Sequence, residues 1–257
     1  MAHAWFWHLW QQNTKSDRAR ENQGAEPDKR RNKRVEMEIS SKKAMALMAL
    51  CACMWSIGGI FIKLLPWNPL VISGFRSLIA AAVLFLYMRA RGQRLVCSPQ
   101  IILAGLGLAG TMLLFVVASK LTTSANAIIL QSTNPVHIMI MSAVFFHVRY
   151  RKWEFFLVGV ILAGISMFFF DQLSPGNLMG NIIALMSGVS MGMMYLFSSR
   201  LPDEESSMSA TFFGHCGAAV LGISISAFYP PEITPVTILT ILILGVVQLG
   251  IPYVLYS

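Results

Sequence analysis

Eight consecutive apolar segments, each close to the length of a membrane-spanning helix, constrain this chain more than any other feature of its sequence. They cover residues 44–65, 69–88, 101–119, 124–147, 153–170, 177–199, 208–228 and 235–256. A helix needs about 20 residues to cross about 30 Å of hydrocarbon. Lipid offers no partner to backbone amides and carbonyls, so segments of this length must be helical. The connections are short and turn-like: Pro66-Trp67-Asn68, Ser174-Pro175-Gly176 and Tyr229-Pro230-Pro231. The expected fold is an all-α polytopic membrane protein with eight transmembrane helices.

Charge placement agrees. Hydrophobic residues make up 55% of the chain and charged ones only 12%, against roughly a quarter charged in a soluble domain. Ten of the 20 Lys and Arg and six of the 12 Asp and Glu lie before Ala44. The basic balance does not point to nucleic acid, which needs Lys and Arg gathered on one solvent-facing surface; here they sit between apolar stretches. Cys51 and Cys53 are two apart on a helix and face different sides, so they do not form a Cys-x-x-Cys metal turn. With Cys97 and Cys216 they read as small apolar packing residues. No metal or cofactor is expected. No Walker-type Gly-rich loop appears, so ATP is not the energy source within this chain.

Residues 1–43 differ from the rest. They open with MAHAWFWHLW and continue through a dense mixture of charges. The order, apolar first and charge second, is the reverse of a secretory signal. Low hydrophobicity with high charge cannot offset the entropy of ordering the backbone, so this stretch is expected to be a disordered basic tail or an extension upstream of the true start. Residues 44–171 then form a first set of five helices, and 172–257 a partial second set of three. Arg89, Arg91 and Arg94 follow the second segment, Arg149, Arg151 and Lys152 the fourth, and Arg200 the sixth. The other side has only Lys63 and Lys120. Short loops rich in Lys and Arg stay in the cytoplasm, which places both termini there, in a multi-pass protein of the plasma membrane (the inner membrane in a bacterium).

Small residues recur four apart: Gly105 and Ala109, Gly159 and Ala163, Gly188 and Gly192, and Gly214, Ala218 and Gly222. Such stripes let helix backbones approach closely in lipid.

Three stretches resemble the drug/metabolite transporter superfamily, in its EamA-type branch. They are MWSIGGIFIKLLP in the first segment, NPLVISGFRSLIAA in the second, and ASKLTTSANAIILQSTNPV between the third and fourth. In the last, Ala118, Lys120, Thr122, Ala125, Asn126 and Ala127 fall where the family has a similar run. The resemblance covers residues 44–257 and implies ten helices in two inverted five-helix repeats around a cavity, moving small solutes by alternating access. It also implies that the chain ends after its eighth helix. The third and eighth segments, five apart, share a Gly-rich first half and an aromatic, polar exit. An odd number of helices per repeat inverts the second copy, a design that puts the binding site near the midplane.

Polar groups inside the spans are the candidate site, because such groups are costly in lipid. Arg76 lies seven residues into its segment, about 10 Å deep at 1.5 Å per residue. Asp171 is its expected acidic partner, and its role is either that ion pair or attraction of an anion. Lys63 and Lys120 lie near helix ends, where long stems reach the interface. The fourth segment carries Gln131, Asn134 and His137, with Pro135 freeing a carbonyl one turn back. His137 is the residue able to couple transport to protons. Gln248 and Tyr253, with Pro252 between them, repeat the theme in the eighth segment and are expected to face the fourth across the cavity.

The function expected is a secondary-active exporter of small polar or amphipathic metabolites, its path lined by Arg76, Gln131, Asn134, His137, Gln248 and Tyr253. Its partners are a small-molecule substrate, the bilayer and a second copy in a homodimer. Two other classes stand beside it: a truncated, non-transporting fragment or assembly partner, and a polytopic membrane enzyme. The enzyme would need clustered His, Asp or Glu at one depth, and acids inside the spans are absent apart from helix ends.

Overall fold

Prolines and their polar neighbours start three of the helices. In the computed structural model, which describes residues 27–169 and 178–256, α1 runs Pro27–Leu64, α2 Pro69–Ala90 and α3 Pro99–Leu121. Then come α4 (Ser124–Gln131), α5 (Asn134–Phe146), α6 (Lys152–Phe169), α7 (Leu178–Ser198) and α8 (Glu204–Ser226). The last segment is α9 (Pro235–Leu242), a π-helical stretch over Ile243–Gly250, and α10 (Ile251–Tyr256). The Asn68 side chain accepts from Leu70 N at 3.0 Å, Ser98 from Ile101 N at 3.3 Å and Thr234 from Thr237 N at 3.2 Å. Each cap stands directly before a proline whose missing N–H would have been an orphan in the first turn anyway.

Seven of these helices, among the described residues, are long and apolar enough to cross a membrane, with α4 and α5 counted together. They fall on seven of the eight expected segments, and α6 falls on the remaining one. The described residues are helical or in turns, with no strand among them. One boundary is corrected. Helix α1 begins at Pro27, so residues 27–43, expected to be without structure, are helical. The physical reason is cooperativity: a span already forms the costly nucleus, and the Arg, Lys, Glu and Met residues upstream are good helix formers that extend it. Residues 1–26 lie outside the described part.

The chain divides into two compact units, residues 1–53 and residues 54–255, with Tyr256 assigned to the first and Ser257 to the second. The described part of the first is the beginning of α1. In the second, helices run back and forth between two ends. At one end the Trp67 indole donates to Glu232 O at 2.8 Å, joining the α1–α2 loop to the α8–α9 loop. At the other, Gln93 donates to Glu204 at 2.9 Å, and the Arg200 guanidinium lies 3.8 Å over the Phe146 ring. Arg91, Arg149 and Arg151 belong to loops at this second end.

Packing is closest between α2 and α8. A Cβ on Gly74 would lie 2.6 Å from Gly222 C, and one on Gly222 would collide with Leu70 O. The two backbones touch, and only glycine permits it. Similar approaches bring Gly214 to Gly105 O and Gly188 to Gln131 O. The expected stripe on α6 behaves differently. A Cβ on Gly159 would meet nothing within 4 Å, and Ala163 is exposed. Among the described residues that stripe has no packing partner, and α6 also turns aromatic residues such as Phe155 and Phe156 outward. Elsewhere, exposed Leu86, Leu106 and Phe145 are the surface expected of helices whose solvent is lipid.

Candidate functional site

Among the described residues the deepest charge is Arg76, with 0% of its surface exposed. It stands on α2 because α8 abuts that helix through Gly74, two residues earlier on the chain. Its Nη1 donates to Gln248 Oε1 at 3.1 Å, and its Nη2 meets only the Met112 sulfur at 3.5 Å. Its Nε has no partner. From Ala44 to Trp153 the sequence contains no Asp or Glu, and no described acid pairs with this guanidinium. Asp171, the partner expected from sequence, lies outside the described residues.

Gln248 reaches Arg76 from the π-helical stretch. Such widened turns are rare and frequent at functional sites. A Cβ on Gly58 would collide with the Gln248 amide, so glycine at that position in α1 lets the side chain lie where it does. Tyr253, one turn further on, packs edge-on against Trp55 at 6.1 Å and His215 at 5.0 Å. It also packs against the apolar cluster containing Met112, Leu108, Ala109 and Leu249. His215 is fully buried, and neither ring nitrogen has a hydrogen-bond partner. Arg76, Met112, His215, Gln248 and Tyr253 therefore form one cluster contributed by α2, α3, α8 and the last segment.

The other sequence-derived residues form a second cluster. The segment carrying them is broken: α4 stops at Gln131 and α5 begins at Asn134, one turn before and one residue before Pro135, as the loss of its N–H requires. Gln131 donates to the Ser187 hydroxyl at 2.7 Å, and Ser187 donates to Thr111 O at 3.4 Å. Thr133 donates to Leu130 O at 2.7 Å and lies 3.1 Å from His137 Nε2. Asn134 is buried. These residues look toward α7, where a Cβ on Gly192 would sit 3.3 Å from His137 Cβ.

The described contacts hold Gln248 and Tyr253 in one group and the fourth-segment residues in another. Helix α3 stands between, its Thr111 joined to one cluster and its neighbour Met112 to the other. Helix α3 packs against both α7 and α8 by close backbone approach: a Cβ on Gly107 would lie 2.5 Å from Met194 N on α7, and one on Gly105 3.1 Å from Ala210 O on α8.

Lys63 and Lys120 are helix-end ligands. Lys63 donates to Thr122 O at 2.8 Å, and Lys120 donates to Leu65 O at 2.5 Å. Each cation closes the carboxyl end of the other's helix, where the helix dipole favours positive charge. Glu154 accepts from Arg151 N at 2.5 Å, capping α6 locally. At the start of α8, Asp203 accepts from Ser206 N at 2.8 Å, and hydrogen bonding from Ser206, side chain first and backbone second, holds its carboxyl below the usual carboxylate range.

Met112, His215 and Ser77, a fully buried serine next to Arg76 on the chain whose hydroxyl has no partner, were missed from sequence. A histidine within a span was a legible signal. The serine and methionine were not, because they gain meaning only from Arg76 and the helix beside it.

A bundle of lipid-length helices closed over a buried charge that no described acid pairs with defines a polytopic membrane protein with an internal polar site. The model of the EamA-like transporter family matches residues 42–170, half of the chain, and the chain belongs to that family. A protein of known crystal structure superposes on it with a TM-score of 0.59 at 19% identity, covering 84% of this chain and 78% of its own. At that identity the likeness is one of fold. No curated protein matches the chain.

Proposed function

We propose that this chain is a secondary-active carrier that exports small polar or amphipathic metabolites by alternating access. The observation that carries the reading is the Arg76–Gln248 cluster: a charge fully removed from water, held by one neutral hydrogen bond. Such an arrangement costs several kcal/mol unless something else compensates it, and a carrier that exchanges substrate for its own side chains supplies a reason to keep it. Family membership supports the same reading. In it, Arg76, Gln248 and Tyr253 line the path on one side of α3, and Gln131, Asn134 and His137 on the other. The break between α4 and α5 and the π-helical stretch are the points where the two sides can flex, since irregular backbone at membrane depth suits a cavity wall. The arginine-bearing end faces the cytoplasm by the positive-inside rule.

The test is flux. Purified protein in proteoliposomes, offered a mixture of radiolabelled amino acids, organic acids and sugars, should move at least one of them against empty vesicles. Loading the opposite side with the same solute should accelerate it. Flux should be faster from the Arg94 side outward than in reverse. Folded, inserted protein that moves none of these solutes contradicts the proposal.

A further inference from the structure

The guanidinium of Arg76 has two usable faces, and they are occupied unequally. Its Nη1 is taken by Gln248. The opposite edge, formed by Nε and Nη2, has an unpartnered Nε and an Nη2 whose neighbour is a thioether sulfur, a weak acceptor. That edge presents two parallel N–H groups, the fork that a carboxylate occupies with both oxygens. A phosphate would ask for donors to a third oxygen as well. His215, packed on Tyr253 in the same cluster, adds a second buried group with unused hydrogen-bonding capacity.

Resting on the carrier reading above, we propose that the transported metabolite is a carboxylate, received by the Nε–Nη2 edge of Arg76 while Gln248 holds the other side of the guanidinium. No acid of the described chain fills that place, so the anion itself is the counter-ion. The described conformation is closed over the site, and the anion enters when the path opens. Gln248 then acts as a positioning residue that keeps the guanidinium edge-on to its ligand, and Gly58 gives it room.

The experiment uses the full chain in nanodiscs of a zwitterionic lipid. Melting temperature is followed while acetate, butyrate, benzoate and alanine are each compared with the corresponding primary amide. The carboxylates should stabilise with half-saturating concentrations at least about tenfold below those of their amides, the ratio that one charge-assisted bond gives over a neutral one. Arg76→Gln should abolish the difference. Because that variant can also fail to fold, Gln248→Glu provides a second arm. It supplies the missing counter-ion from within, so it should melt higher than the parent and lose its response to carboxylates. Equal stabilisation by acids and amides, no stabilisation by any acid, or a Gln248→Glu protein that still responds would overturn the proposal. Flux of neutral solutes by a protein indifferent to carboxylates would sink the carboxylate site and leave the carrier. Carboxylate binding without flux of any solute would keep the site and sink the carrier.

Discussion

The two polar clusters on either side of α3 are built from similar residues and differ in how completely they are satisfied. Around Gln131, hydrogen bonds close on one another: amide to Ser187, Ser187 to Thr111 O, and Thr133 to Leu130 O, with the Thr133 oxygen left to accept from His137 Nε2. Around Arg76, four buried atoms remain without partners: Arg76 Nε, the hydroxyl of the adjoining Ser77 and both nitrogens of His215. In lipid an unsatisfied polar atom has no water to fall back on. A closed network is what interhelical adhesion looks like, and an open one is what a site awaiting its ligand looks like. On the carrier proposed above, the contrast gives the Gln131 side of the path a mainly structural part and the Arg76 side recognition of the ligand.

Truncating each cluster in turn is the strongest way to break that contrast. Arg76→Ala should lower flux by about 100-fold or more, the loss expected when both charge-assisted bonds to an anion go. Insertion should be unchanged. Gln131→Ala should instead leave flux within a few-fold and lower stability by about 1 kcal/mol, the size of one interhelical hydrogen bond in lipid, read by denaturant titration in detergent. The reverse pattern would exchange the roles of the two clusters.

A smaller effect sharpens the role of Gln248. In Gly58→Ala the new methyl collides with the flexible amide of Gln248 rather than with backbone, so the helices can stay in place while Gln248 leaves Arg76. Flux should fall by roughly tenfold, about the value of one hydrogen bond to a charged group, with little change in melting temperature. Gly159→Ala, which meets open space, is the matched control and should change neither.

The smallest effect lies outside the membrane. Asp203 is held below its ordinary pKa by Ser206, so the folded state binds the proton less readily than the unfolded one. Its contribution to stability is complete above the unfolded value of about 3.9 and is lost as pH falls through the lowered folded value. Asp203→Asn should therefore shift the acid end of the stability profile slightly while leaving flux at neutral pH unchanged.

The fold was legible because membrane helices depend on short-range features. Segment length and the short turn-like connections located most boundaries within a few residues. The break near Pro135 followed from its missing N–H. The helical extension of α1 was not legible from composition alone, since the helix it continues was not weighed against the entropy of ordering it. Within the site, Arg76 and Gln248 stood out as polar residues in apolar surroundings. Their pairing across 172 positions did not, nor did the wall that α3 makes between them and Asn134. Those are consequences of which helices touch, and Gly74, Gly107 and Gly222 decide that through contacts with partners far away in sequence.

In the carrier proposed above, the Arg76 cluster, buried in the described conformation, opens to water during the transport cycle. Met112 touches the guanidinium, which makes its position the place to ask. In a protein whose four native cysteines are replaced, Met112→Cys should react with a membrane-impermeant thiol reagent added from either side, and a transported carboxylate should slow that reaction. A folded, inserted Met112→Cys protein that resists the reagent from both sides, with and without carboxylate, would show the cluster to be packed core and would contradict the account.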